Sequence, residues 1–149
     1  MVSLRTAVSC WRIQLPLLLV LAVVLRERAT GQEALSVDFV RQVAPILQQR
    51  CLKCHGPGAA KGGLRLHNAG AAVRGGDSGA VLVPGKSGRS ELLRRLKTGD
   101  AEERMPLKVK PLSKKEIQSI AAWIDQGAKW PDKFTIVPYE QARAQQAAS

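Results

Sequence analysis

Very little in this sequence is equipped for catalysis. The 149 residues hold two histidines, three cysteines and two methionines. There is no second Cys-x-x-Cys and no His-x-x-x-His, so a tetrahedral zinc site would lack its four donors. No phosphate-binding glycine loop, nucleophile elbow or internal repeat occurs. No general acid–base pair or activated nucleophile stands out, and no catalytic residue is assigned. Long apolar runs are missing too. The longest, Ile13 to Leu25, is apolar apart from Gln14 and Pro16 and is too short to span a bilayer comfortably.

That run has the size of a signal-peptide core. Arg5 and Arg12 precede it, and Ala29-Thr30-Gly31 offers small residues where a signal peptidase reads. The sequence therefore predicts a signal peptide over 1–31, cut after Gly31, then one domain over 32–134 and a flexible tail or start of a linker over 135–149. An uncleaved anchor is the alternative, because Arg26-Glu27-Arg28 separates the core from the cut site. Cys10 leaves with the leader. The formal charge is +11, with 23 basic and 12 acidic residues; losing four and one of these leaves +8. On an exported, periplasmic protein such charge suits an acidic redox partner or an anionic membrane surface and not nucleic acid. A merely well-solvated basic surface fits equally well.

What is present is concentrated in Cys51-Leu52-Lys53-Cys54-His55. The spacing Cys-x-x-Cys-His is that of a c-type haem attachment site. Two thiols about one helical turn apart can add to the two vinyl groups of one porphyrin. The next residue, His55, is then placed to be an axial ligand of the iron. The competing readings are a redox-active dithiol, half of a zinc site and a structural disulfide. A thioredoxin-like pair needs a βαβ context that the flanks do not have. Export puts an unoccupied pair in a compartment where it tends to oxidise.

Around this motif the chain reads as mostly α. Ser36 looks like an N-cap, with Val40, Val43, Ala44, Leu47 and Cys51 at helical spacing and a kink or restart expected at Pro45. Gly56-Pro57-Gly58 should stop that helix. Leu64-Arg65-Leu66 and Ala80-Val81-Leu82-Val83 are short extended stretches that could pair as a two-stranded ribbon. Ala69 to Val73 is one helical turn ended by Gly75-Gly76. A helix capped by Ser87 or Ser90 carries Leu92, Leu93 and Leu96, with Arg94, Arg95 and Lys97 suited to its C-terminal dipole. The clearest helix begins at the capping box Ser113-x-x-Glu116 and repeats Ile117, Ile120, Ala121 and Ile124 up to Gly127.

A second axial ligand has two candidates. Met105 is the one methionine left after the leader, and Pro106 fixes the backbone beside it. A thioether stabilises Fe(II) more than Fe(III) and raises the potential. An ordinary core methionine is the bland alternative. His67 is the other histidine, and its neighbours Asn68-Ala69-Gly70 look like an exposed turn.

With these residues in place, the chain resembles the planctomycete-type cytochrome c domain, a branch of the class I cytochromes c. The resemblance runs from about Phe39 to Pro131. It rests on Val43-Ala44-Pro45-Ile46-Leu47, Cys51 to Gly56, Lys61 to Leu66, Gly75-Gly76-Asp77-Ser78-Gly79, Val83-Pro84-Gly85, Ser90-Glu91-Leu92-Leu93, Arg104-Met105-Pro106 and Trp123 to Ala128. The family usually shows Met-Pro-Pro at the ligand loop, where this chain has Leu107. The resemblance implies a class I cytochrome c-like fold, with N- and C-terminal helices crossing around one haem c. It implies covalent attachment through Cys51 and Cys54, ligation by His55 and Met105, and electron transfer without catalysis. Leu64, Leu66, Val83, Leu92 and Leu96 would line the haem. Trp123 should pack near Val43 and Leu47, where burying the ring is worth about 2–3 kcal/mol. An open sixth site, as in a sensor or an enzyme-associated haem, stays as the alternative. So does a cytochrome domain heading a longer protein, which the family often shows.

Overall fold

Pro45 decides how the first helix begins. A proline cannot donate to the carbonyl four residues back, and its ring crowds that carbonyl. In the computed structural model, which describes residues 36–148, the chain meets this with one wide turn. Phe39–Val43 form a π-helical turn in which the Ala44 amide donates to Phe39 O. Helix α1, Ala44–Arg50, then starts with Pro45 in its first turn. The expected break is there, but the start differs from expectation. Asp38, not Ser36, is the cap, its carboxylate accepting from Arg41 N at 3.1 Å. The wide turn also rolls the apolar face by a residue. Phe39 points into the core at 6% exposure, while Val40, expected there, is 43% exposed. The expected signal peptide over 1–31 lies outside the described residues.

Cys51 has non-helical φ/ψ and offsets α1 from the short helix α2, Leu52–His55. Helix α3 is Ala69–Arg74, capped by the Asn68 side chain accepting from Ala71 N at 2.9 Å. Helix α4 is Glu91–Lys97, α5 is Lys114–Asp125 and α6 is Tyr139–Ala147. The described chain is thus mostly α, as expected, and no strand occurs among the described residues. The ribbon between 64–66 and 80–83 does not form, because both stretches bond elsewhere. Leu66 N donates to His55 O at 2.7 Å, Leu92 N donates to Val81 O, and Val83 N donates to Ser90 Oγ. Single bridges, such as Asn68 with Thr135, replace it.

Helix α5 is specified at both ends. Ser113 N donates to the Glu116 carboxylate at 2.6 Å while Glu116 N donates to Ser113 Oγ at 3.2 Å. At the other end Ala128 N donates to Trp123 O, and Gly127 takes a φ of 96°, which a residue with a Cβ adopts at a cost. Between them Ile120, Trp123 and Ile124 enter the core with Val43, Leu47, Leu66 and Leu96. Trp123 therefore shares its buried cluster with Val43 and Leu47. Its ring neighbours were not foreseen: Phe39 lies at 5.3 Å and Trp130 at 5.8 Å between centroids. The indole N–H donates to Lys129 O at 2.8 Å, so the buried polar atom is satisfied.

The two ends of the domain close on each other. Val37 N donates to the Gln126 side chain, and Gln48 Nε2 donates to Val137 O at 2.7 Å. Ile136 is buried, with its amide donating to His67 O at 2.7 Å. Residues 136 and 137 are thus tied to the body of the domain. The short apolar stretch Phe134-Thr135-Ile136-Val137 is too brief for a periodicity to announce this. Beyond it, α6 is helical where a frayed tail was expected, and it buries no residue.

Candidate functional site

The two cysteines and His55 are arranged by one helical turn. Cys51 N donates to Leu47 O, and Cys51 O accepts from both Cys54 N (3.1 Å) and His55 N (2.9 Å). Positions i, i+3 and i+4 share one side of such a turn. Cys51 is buried and Cys54 half-buried, and both are free thiols. Burial pushes the Cys51 thiol up to about 12, with the Arg50 charge acting weakly the other way. The thiol is therefore protonated at neutral pH. Gly56 lets the chain leave directly after His55, for a Cβ there would run into the Leu52 carbonyl oxygen.

His55 is half-buried, and burial lowers its pKa from the ordinary value, opposed by the nearby Leu64 and Lys61 carbonyls. The imidazole is neutral at pH 7 and keeps a lone pair for a metal. Its Nδ1 is buried and makes no well-formed hydrogen bond.

Met105 is half-buried and packs against the cluster that contains Cys51, Leu66, Leu92 and Leu96. Its amide donates to Arg95 O at 2.9 Å, which fixes the loop to α4. Leu64 also packs on this cluster. Val83 is half-buried and outside it, whereas Val81 is 7% exposed and within it. Cys51, Leu66, Leu92 and Leu96 thus belong to the single core of the domain, with Leu64 and Met105 packed on it, and the His55 carbonyl accepts from the Leu66 amide. His67 follows Leu66 directly and is half-buried, and its Nδ1 is also buried without a hydrogen-bond partner. Its carbonyl is taken by Ile136, and Asn68 beside it caps α3, so the expected exposed turn is a helix start. Among the described residues no three His, Cys, Asp or Glu side chains cluster as a metal site.

Two features escaped the sequence. Arg104, next to Met105, has a buried Nε without a hydrogen-bond acceptor. Arg94 and Arg95, read as helix-dipole cations, are instead bonded to Glu91, and Arg94 also to Glu103. The Glu91 half of this was available as i, i+3 and i, i+4 charge spacing. The Glu103 half spans a turn and had no periodic signal.

A family model described as Planctomycete cytochrome C matches residues 51–107, from the first thiol of the motif to just past Pro106. No curated protein and no solved structure matches the chain.

Proposed function

We propose that this chain is an exported electron carrier, because its residues 51–107 match the family model described as Planctomycete cytochrome C. It holds one haem c through Cys51 and Cys54, with His55 and Met105 as axial ligands. That match supports haem-based electron transfer. The finer assignments rest on one observation: two unbonded thiols a helical turn apart lead directly into a half-buried, neutral imidazole. A group from outside the chain is what such a set of donors calls for, and these donors suit haem c. Haem, when bound, supplies a one-electron Fe(III)/Fe(II) couple.

The chain's own residues do the rest. The cysteines fix the ring's place, and the neutral His55 offers a nitrogen donor without first losing a proton. Met105 offers a soft thioether that favours the reduced state. Leu64, Leu66, Leu92 and Leu96 keep water from the site. The buried Arg104 Nε offers an N–H to a carboxylate, and the cofactor's propionates are carboxylates of that kind. A periplasmic setting follows from the leader read in the sequence. Among the described residues no helix is long and apolar enough to cross a membrane. The basic surface suits an acidic partner protein or an anionic membrane face, and no nucleic-acid role is proposed.

The test is a haem stain on a denaturing gel, with intact mass, of the chain made in a host able to attach haem. The expected result is a stained band at polypeptide plus one haem; the bare polypeptide mass overturns the reading. Met105→Ala should then abolish the weak near-infrared sulfur–iron absorption of the ferric protein. It should also lower the potential by on the order of 0.1–0.2 V, part of the roughly 0.8 V that axial ligands command. A wild type without that absorption would instead indicate an open sixth position.

A further inference from the structure

We infer that Glu103 and Arg94 are positioning residues: with Glu91 they form a charged clasp that docks the Met105 loop onto the end of α4. The inference rests on Met105 ligation only for its functional consequence; the docking itself stands on geometry. Arg94 Nε and Nη2 donate to the two Glu91 oxygens at 2.6 and 2.8 Å, while its Nη1 donates to Glu103 at 2.6 Å. One guanidinium thus bridges the first turn of α4 and the loop. Arg95 doubles the bridge, its Nε on Glu91 at 2.8 Å and its Nη1 on Glu103 O at 3.4 Å. Its carbonyl then receives the Met105 amide at 2.9 Å.

Beyond the packing of Met105 on the core, the loop has few other ties. Among the described residues, the hydrogen bonds that leave 100–105 end on Arg94, Arg95 and Thr98. No helix occurs between Lys97 and Lys114. Segments so placed open locally before the core does. The Arg94 and Glu103 side chains are 48% and 44% exposed, so a single pair between them would count for little. The bidentate geometry and the shared guanidinium raise it above an isolated surface pair. The Glu91 carboxyl is held down at about 2, chiefly by the Arg94 hydrogen bond, so this side of the clasp stays charged well into acid.

The experiment compares wild-type holoprotein with Glu103→Gln and Arg94→Gln, using Glu102→Gln as a carboxylate control. Residue-resolved amide exchange is the first measurement. The Met105 amide should exchange about fivefold faster in both clasp variants, as expected for a small network of exposed ion pairs, while Ile120 and Trp123 keep their rates. Wild type in 1 M salt, where the Debye length is about 3 Å, should move the same way. Exchange at Met105 unchanged in Glu103→Gln overturns the clasp. Exchange faster at Ile120 and Trp123 too also overturns it, since the charge would then support the domain as a whole. Imidazole titration of the ferric protein is the second measurement. If the clasp positions the thioether, added imidazole should displace it at about fivefold lower concentration in both variants, the same loss read a second way. Equal affinity overturns the positioning role. Absence of the sulfur–iron absorption from the wild type overturns the ligand reading by itself, while the Met105 amide still decides the docking.

Discussion

Replacing Cys51 and Cys54 together by alanine should leave a denatured polypeptide with no pigment on it. The effect is all or none because thioether bonds survive denaturant and axial bonds do not. With both sulfurs gone, the proposed ligands His55 and Met105 would still hold an iron porphyrin in the folded protein. Unfolding then separates it from the chain. Each single variant should keep one bond and a stained band. The double variant must be shown to fold, because Cys51 is only 8% exposed and its removal opens space in the core. Far-ultraviolet circular dichroism of native and heated samples answers that. Pigment that stays on the double variant through a denaturing gel would defeat the attachment assignment.

Trp123→Ala should cost about 3–5 kcal/mol of unfolding free energy, the range for deleting a buried aromatic ring. The indole is 2% exposed and donates to Lys129 O, whose carbonyl would lose its partner. Its ring also closes a cluster with Phe39 and Trp130, themselves 4.4 Å apart. These three residues bring the π turn, α5 and the segment after α5 together, so the cavity could not collapse from one side. Urea unfolding read by far-ultraviolet circular dichroism checks this. A loss below about 1 kcal/mol, typical of a surface site, would mean that the ring is not central to the core.

The parts legible in the sequence are those whose cause is local. Cys51 to His55 carries its chemistry in five consecutive residues. Helix α5 is written three times over, in its capping box, its 3.6-residue stripe and its terminal Gly127, and all three agree. What stayed hidden depends on distant partners or on a change of register. Phe39 rather than Val40 turns inward because one wide turn precedes Pro45. Val81 rather than Val83 is the buried residue of its stretch, though both have the same face by alternation. The stretch is not in a ladder; Ser90 takes the Val83 amide and turns the chain. Ile136 joins the core through the His67 carbonyl, and neither residue has a pattern that names the other.

The ties between Val37 and Gln126 and between Gln48 and Val137 each join positions 89 apart. A chain exported N-terminus first, as proposed, would deliver Cys51 and Cys54 long before Trp123, Trp130 and Ile136. Until those arrive, nothing can seal the first turn, and both sulfurs remain within reach of a maturation enzyme. At a synthesis speed of about 5–20 residues per second the delay is on the order of 4–16 s. Topology alone therefore delays the burial of Cys51 until the C-terminal part of the domain has arrived.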